Sequence, residues 1–126
     1  MLQPGDLVPH FEVTLLDGRH VAYRAIWQQQ NLLLVTLPAA DEGAPAYADH
    51  LTRRMDELRA NQTAVLLTHG QIPGLPAPAL LVADRWGEVH FVRAAANAVD
   101  LPSPDEVLEW LRFTQYACPE CEGEWR

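Results

Sequence analysis

The sequence of 126 residues contains no lysine, and all nine of its basic residues are arginine. Without lysine the chain has neither a Schiff-base amine nor the phosphate-binding lysine of a Walker motif, so both chemistries are excluded. The arginines are outnumbered by 17 acidic residues, which give a formal net charge of −8. Because nucleic acids and anionic membranes are bound by clustered basic residues, we expect neither as a partner.

Long apolar runs are absent as well. No segment approaches the roughly 20 apolar residues that cross a bilayer. Residues 1–6 have neither the basic stretch nor the apolar core of an export signal. We therefore expect a cytoplasmic protein. The composition, with 48% hydrophobic and 21% charged residues, is ordinary for a globular protein, and the length fits one domain with one core.

Cysteine is scarce, and its position bears directly on function. The only two cysteines, Cys118 and Cys121, stand in the run Cys-Pro-Glu-Cys close to the C-terminal end of the sequence. Any chemistry that uses a thiol of this chain must therefore use one or both of them.

The first half of the chain predicts a hairpin, a buried strand and a helix. Apolar and polar residues alternate over 11–15, and Asp17-Gly18 is typical of a two-residue hairpin turn, after which the alternation resumes. The apolar run 32–37, stopped by a proline, indicates a central strand that is buried on both faces. After a loop over 38–46, apolar residues at helical spacing predict a helix from about residue 46 to residue 60.

The second half begins with a further strand and a second hairpin. A short apolar run predicts a buried strand over 64–68, and the following loop, over 69–78, is rich in glycine and proline. Two apolar segments within 79–92 flank the run Asp84–Gly87, which predicts an antiparallel hairpin with a four-residue turn.

The last helix has clear start signals. Ser103 is placed as the N-cap, Pro104 at the first helical position and Glu106 at the third, where it completes a capping box. The order of elements predicts an α/β fold with one mixed central sheet and helices on both faces. We expect residues 1–117 to form this domain and residues 118–126 to be a tail that carries the two cysteines.

Three sets of residues resemble the motifs of one family: an N-terminal set (Gly5-Asp6, Pro9, Phe11, Asp17-Gly18), the strand ending in a proline (Leu32 to Pro38), and Pro78 followed by Asp84 and Gly87. In this register, residues 3–112 resemble the thioredoxin fold and, more narrowly, the redoxin group, that is, peroxiredoxins of the alkyl hydroperoxide reductase and thiol-specific antioxidant type. The resemblance implies thiol–disulfide or antioxidant chemistry and a cis peptide bond before Pro78.

The sequence departs from that family where the reactive thiol should be. Peroxiredoxins have a hydroxyl residue and a peroxidatic cysteine at the start of the first helix, whereas Glu42 and Pro45 occupy those positions here. Peroxide reduction by the family's mechanism is therefore excluded. The loop before Pro78 is also shorter than the family's, so we expect a trimmed fold. Pro78, Pro38 and Glu42 are predicted to form a groove for a substrate or partner.

The pair Cys118 and Cys121 has three interpretations: a redox dithiol, two of the four ligands of a zinc site, or two reduced thiols without a role. The position after a helix C-terminus and the neighbouring Glu120, Glu122 and Glu124 favour the thiol over the more reactive thiolate. The last helix should also carry the pair away from Pro78. Further zinc ligands would come from a second chain or from among the histidines His10, His20, His50, His69 and His90.

Two functional hypotheses follow. In the first, the protein is a redoxin with a thiol–disulfide oxidoreductase or antioxidant role through Cys118 and Cys121, and its partners are protein thiols and disulfides. In the second, it is a non-catalytic binding module of the same fold whose tail cysteines bind zinc, in one chain or across a homodimer.

Overall fold

The computed structural model describes residues 1–60 and 62–116. The six strands and three α-helices within these ranges are β1 (Glu12–Thr14), β2 (His20–Ala22), β3 (Asn31–Thr36), α1 (Ala44–Arg53), α2 (Met55–Arg59), β4 (Thr63–Thr68), β5 (Ala79–Ala83), β6 (Val89–Ala94) and α3 (Pro104–Tyr116). Two short 3₁₀ turns lie at Tyr23–Ala25 and Ala98–Asp100. None of the helices in the described ranges has the length and apolar character needed to span a bilayer.

The main sheet has the strand order β4-β3-β5-β6, and β1 and β2 form a separate hairpin. Strands β3 and β4 are parallel, whereas β5 is antiparallel to both β3 and β6. All six residues of β3 are buried, as expected for a central strand flanked on both sides. The predicted α/β fold with a mixed sheet and an N-terminal hairpin is confirmed.

The two faces of the sheet are covered differently. Side chains of α1, α2 and α3 pack in one apolar cluster with alternate residues of the strands, such as Leu33 and Leu80. The other face, which includes Leu34 and Leu81, packs against the N-terminal segment, the β1–β2 hairpin and the segment that precedes β5. Among the described residues the expectation of helices on both faces is therefore wrong for the α-helices, which all lie on one face, because the short loop before β5 contains none.

The two hairpins have the same turn geometry. In the first, Gly18 N donates to Leu15 O and Leu15 N donates to Arg19 O, which leaves three residues in the loop rather than the predicted two. In the second, Gly87 N donates to Asp84 O and Asp84 N donates to Glu88 O. Both glycines have a positive φ, as a type I turn followed by a bulge residue requires.

The helix predicted over 46–60 begins earlier and is interrupted. It starts at Ala44 with a proline in its first turn, where the missing N–H costs no hydrogen bond. Arg54, at φ −109° and ψ 18°, separates α1 from α2. Two residues before the break, the Thr52 hydroxyl donates to Ala48 O at 2.8 Å, a contact that bends helices.

The predicted start of the last helix is confirmed in part. Glu106 N donates to Ser103 Oγ at 3.3 Å, which is the cap bond. The Glu106 carboxylate lies 3.5 Å from Arg93 of β6, so it joins α3 to the sheet edge instead of closing a capping box. Val107, Leu108 and Leu111 are buried as expected.

Candidate functional site

The end of the sheet where the resemblance places a reactive thiol is assembled, and none of the described residues there carries a thiol. Thr36 and Ala79 are paired across β3 and β5, so the residues that follow β3 and those that precede β5 meet at one end. Pro78 is buried there after a cis peptide bond, Pro38 is half-buried and Glu42 is exposed. The predicted cis bond before Pro78 is thus confirmed, and a groove at these three residues stays a prediction.

Asp41 fixes the loop that leads into α1. Its Oδ1 accepts a hydrogen bond from Gly43 N at 2.9 Å, and its Oδ2 accepts one from Ala98 N at 2.8 Å. The second bond ties the 3₁₀ turn Ala98–Asp100 to the start of the helix. A Cβ at Gly43 would lie 2.7 Å from Val99 Cγ1, so this turn covers the backbone just before α1. The position equivalent to the family's thiol, Pro45, is exposed beside it.

A tyrosine in α1 makes a second tie to the same loop. The Tyr47 hydroxyl donates to Pro102 O at 2.6 Å, and both residues are buried. Burial raises the pKa of Tyr47, and the negative charge of Glu106 raises it further. The start of α1 and the start of α3 are therefore held together by polar contacts inside an apolar cluster.

The last helix runs from this end of the sheet to the other. It begins just after Pro102, near Tyr47, and in its last turn Gln115 Oε1 accepts a hydrogen bond from Asn31 Nδ2 at 2.9 Å. Asn31 is the first residue of β3, at the end opposite Pro38. The expectation that the last helix leads away from Pro78 is confirmed to its end at Tyr116. Cys118 and Cys121 lie outside the described residues.

The end of α3 meets a buried polar cluster on the β5–β6 hairpin. His90 Nε2 lies 3.1 Å from Asp84 Oδ2, and His90 Nδ1 lies 3.0 Å from Thr114 Oγ1. The side chains of Asp84 and His90 are 5% and 8% exposed. Since a carboxylate only accepts hydrogen bonds, the proton of this pair is on Nε2, and Nδ1 can accept from the threonine hydroxyl.

Asp84 is ionised in this setting. Burial alone would raise the pKa of its carboxyl, but hydrogen bonds from His90 and from the backbone N–H of Glu88 and Trp86 hold the pKa below its usual value. Its charge also acts on a neighbour: burial raises the pKa of Tyr23 to about 12, and Asp84 contributes to that increase.

The cluster has a second acidic member, Glu88, and its backbone contains a β-bulge. Glu88 Oε2 lies 3.8 Å from His90 Nε2, and this side chain is about half exposed. His90 is the extra residue of a β-bulge, because Ala83 pairs with Val89 while Val82 pairs with Phe91. Bulges redirect a side chain relative to its strand neighbours, and accordingly Val89 and Phe91 pack in different apolar clusters.

Sequence reasoning missed this cluster. His90 was one of five candidate zinc ligands, and Asp84 was considered only as part of a hairpin turn and of the family motif that begins at Pro78. The single available signal was the spacing of Asp84, Glu88 and His90 around a predicted turn. Strict alternation along β6 could not indicate the bulge that turns His90 towards Asp84 and Thr114.

Comparison with solved structures shows which fold this is. The AhpC protein of Mycobacterium tuberculosis matches at a TM-score of 0.70 and 15% identity, over 100% of this chain and 99% of that one. A thiol peroxidase from Chromobacterium violaceum matches at 0.65 and 18%, over 89% and 87%. The thioredoxin domain of a thiol-disulfide oxidoreductase from Bacteroides vulgatus matches at 0.64 and 11%, over 90% and 99%.

No family model matches the sequence, and no curated protein matches it. The likeness to solved structures, at these low identities, concerns the fold. The chain has a thioredoxin-like fold of the form found in peroxiredoxins, as the motifs at its N-terminus and around Pro78 predicted.

Proposed function

We propose that this protein, which has the peroxiredoxin-like form of the thioredoxin fold, is a thiol–disulfide redox protein whose reactive pair is Cys118 and Cys121. One observation carries the proposal: the fold is that of thiol-dependent proteins, yet the segment 38–46 contains no thiol and the chain has no other cysteines. The reaction would exchange the pair with a disulfide of a partner protein.

The exchange is balanced without a cofactor. A thiolate of the pair attacks one sulfur of the partner disulfide, which forms a mixed disulfide and releases the partner's other sulfur as a thiolate that takes up a proton. The second cysteine, as thiolate, then attacks the mixed disulfide. After the reaction, Cys118 and Cys121 form a disulfide. The partner then has two thiols and has gained two electrons and two protons. Since two residues separate the cysteines, an internal disulfide is sterically ordinary.

The groove at Pro78, Pro38 and Glu42 is proposed to hold a partner rather than to carry out chemistry. It lies at the opposite end of the sheet from Tyr116, where the described part of α3 ends. For one partner to engage both the groove and the cysteine pair, a homodimer in which each chain offers its pair to the other is the simplest arrangement.

Thiol titration before and after a mild oxidant tests the proposal. The wild-type chain should lose two titratable thiols and two hydrogens of mass, and a reductant should restore both. Cys118→Ser and Cys121→Ser should each be unable to form the internal disulfide. If the wild-type pair forms no reversible disulfide, the proposal is refuted.

A non-catalytic module that binds zinc through the same cysteines is the second candidate. The observation in its favour is that the last turn of α3, at Thr114, contacts His90, whose neighbours Asp84 and Glu88 are also metal-ligand types. In this case the cysteines of one chain, or of two chains in a dimer, would be held as thiolates by the metal. Elemental analysis separates the candidates: stoichiometric zinc supports the module, and a metal-free protein with a reversible disulfide refutes it.

A further inference from the structure

We propose that Asp84, Glu88 and His90 form a binding site for a divalent metal ion, with zinc as the best match, and that this site does not depend on the cysteines. One oxygen of each carboxylate and one imidazole nitrogen lie within 4.8 Å of one another. All three residues belong to a single hairpin, so one rigid turn sets their positions.

The distances suit a small ion. The Nε2 atom of His90 is 3.1 Å from Asp84 Oδ2 and 3.8 Å from Glu88 Oε2. Ligand atoms about 2.0–2.1 Å from a tetrahedral zinc lie roughly 3.3–3.4 Å from one another. The observed separations bracket that value, so small side-chain rotations, with the largest at the half-exposed Glu88, would bring the three ligand atoms around one ion.

The imidazole is oriented as a metal ligand requires. Metal-binding histidines are usually fixed through the other ring nitrogen, and here Thr114 Oγ1 lies 3.0 Å from Nδ1. A hydroxyl can accept as well as donate, so it can receive the N–H of Nδ1 once Nε2 is bound to metal. The β-bulge at His90 turns this ring towards the two carboxylates.

Hydrogen bonds from His90 and two backbone N–H groups stabilise the Asp84 carboxylate, but no arginine among the described residues balances the charge of the cluster. Among the ion pairs of the described residues, Asp84 and Glu88 each pair with His90 and with no arginine. The nearby Arg85 donates instead to Gln62. A buried carboxylate and a second carboxylate that converge on one nitrogen form a site that a dication would neutralise.

The mixed donor set favours zinc over magnesium. Magnesium and calcium prefer oxygen ligands alone, whereas an imidazole with carboxylates suits zinc and neighbouring transition metals. Three protein ligands would leave a fourth position for water. Asp84 and His90 are almost fully buried, and Glu88 forms the solvent side by which the ion enters.

Calorimetric titration with zinc chloride in the full-length Cys118→Ser/Cys121→Ser variant is the test, because this background contains no thiol. One zinc ion per chain should bind, and magnesium chloride should give no comparable heat. Loss of an outer-shell partner of a metal ligand already weakens affinity about tenfold or more, so Glu88→Gln, which removes a direct ligand, should weaken zinc affinity at least that much, and His90→Gln should abolish binding. His20→Gln is the matched control, since it alters an exposed His–Glu pair, 3.3 Å from Glu12, on the other hairpin.

Substitution of the buried His90 could unfold the chain, whereas the Glu88 side chain is half exposed. The Glu88→Gln variant leaves the buried contacts intact, so a loss of zinc affinity in it reports on the site itself. Absence of zinc binding in the thiol-free background would overturn the proposal. Equal affinity in the Glu88→Gln variant and the His20→Gln control would also overturn it. Neither result bears on the disulfide chemistry, which this background cannot perform.

Discussion

The carboxylate of Asp41 accepts a hydrogen bond from the backbone N–H of Ala98, at 2.8 Å, across 57 positions of sequence. Its other oxygen accepts from Gly43 N at the start of α1. One side chain thus joins the entry to the first helix with the loop between β6 and α3. This loop covers the backbone at Gly43, next to the exposed Pro45 at which the sequence resemblance places a peroxidatic cysteine.

Loss of the two hydrogen bonds accepted by Asp41 should destabilise the fold. We expect Asp41→Ala to lower the free energy of unfolding by about 1–2 kcal/mol, because two backbone donors lose a charged acceptor. Asp41→Asn keeps one acceptor oxygen and should cost less. The measurement is urea unfolding at neutral pH, and the control is Glu42→Gln, an exposed neighbour expected to change stability by less than about 0.5 kcal/mol. Equal effects at the two positions would contradict this role.

The contact between Gly43 and Val99 predicts a compensating pair of substitutions. Gly43→Ala places a methyl group 2.7 Å from Val99 Cγ1, so the valine must move, at a cost of about 1 kcal/mol. Val99→Ala alone should have little effect because the side chain is 67% exposed. The double variant should recover most of the loss, which a double-mutant cycle of urea unfolding measures. Additive effects of the two substitutions would refute the contact.

Tyr47 predicts a particular dependence of stability on alkaline pH. Burial, and then the charge of Glu106, raises the pKa of this phenol in the folded state above the value of about 10 in an unfolded chain. The unfolded state therefore loses its proton first, and the stabilisation from Tyr47 is complete below pH 10 and is lost as pH rises towards the folded-state pKa.

Tyr47→Phe separates this effect from others. At neutral pH the variant should lose about 1–2 kcal/mol, since the buried Pro102 carbonyl loses its donor. Above pH 10 its stability should fall less steeply than that of the wild type, in urea unfolding followed from pH 8 to 11. Tyr116→Phe is the control, because Tyr116 is 79% exposed and its variant should follow the wild-type curve. Parallel curves for wild type and Tyr47→Phe would show that the tyrosine is not responsible.

The sequence predicted the elements whose local signals and long-range packing agree. The apolar run ending at Pro38 became the central strand, and the serine and proline at 103–104 marked the start of α3. The turn after Leu15 was one residue longer than predicted, because Asp-Gly serves a three-residue turn with a bulge as well as a two-residue one. Such differences depend on how strands twist against their neighbours.

The candidate metal site could not be foreseen for a related reason. It depends on a bulge at His90 and on Thr114 of α3, which lies 24 positions further along the chain. Neither the alternation of residues along β6 nor the helical spacing along α3 indicates that His90 and Thr114 come into contact. The absence of a thiol at position 45 can be read directly from the sequence, because it depends only on which residue stands there. The polar cluster depends on how β6 and α3 pack, which the sequence pattern does not indicate.

The acidic surroundings of the cysteines in the sequence predict slow thiol chemistry at neutral pH. Glu120, Glu122 and Glu124 place negative charge within three positions of Cys121, and negative charge disfavours the thiolate, which is the nucleophile. Replacement of all three by glutamine should increase the rate of alkylation by iodoacetamide about two- to fivefold at pH 7.5 and low salt. Added salt should raise the wild-type rate and narrow the difference.

The matched control for charge removes three acidic residues elsewhere: Glu42→Gln, Asp56→Asn and Asp100→Asn, all at exposed positions. This variant has the same net charge as the first, so a local effect should leave its alkylation rate close to that of the wild type. Equal acceleration in both variants would mean that total charge, rather than the neighbouring glutamates, sets the reactivity. No acceleration in either would mean that the glutamates do not restrain the pair, and the electrostatic argument against a strongly activated thiol would fail.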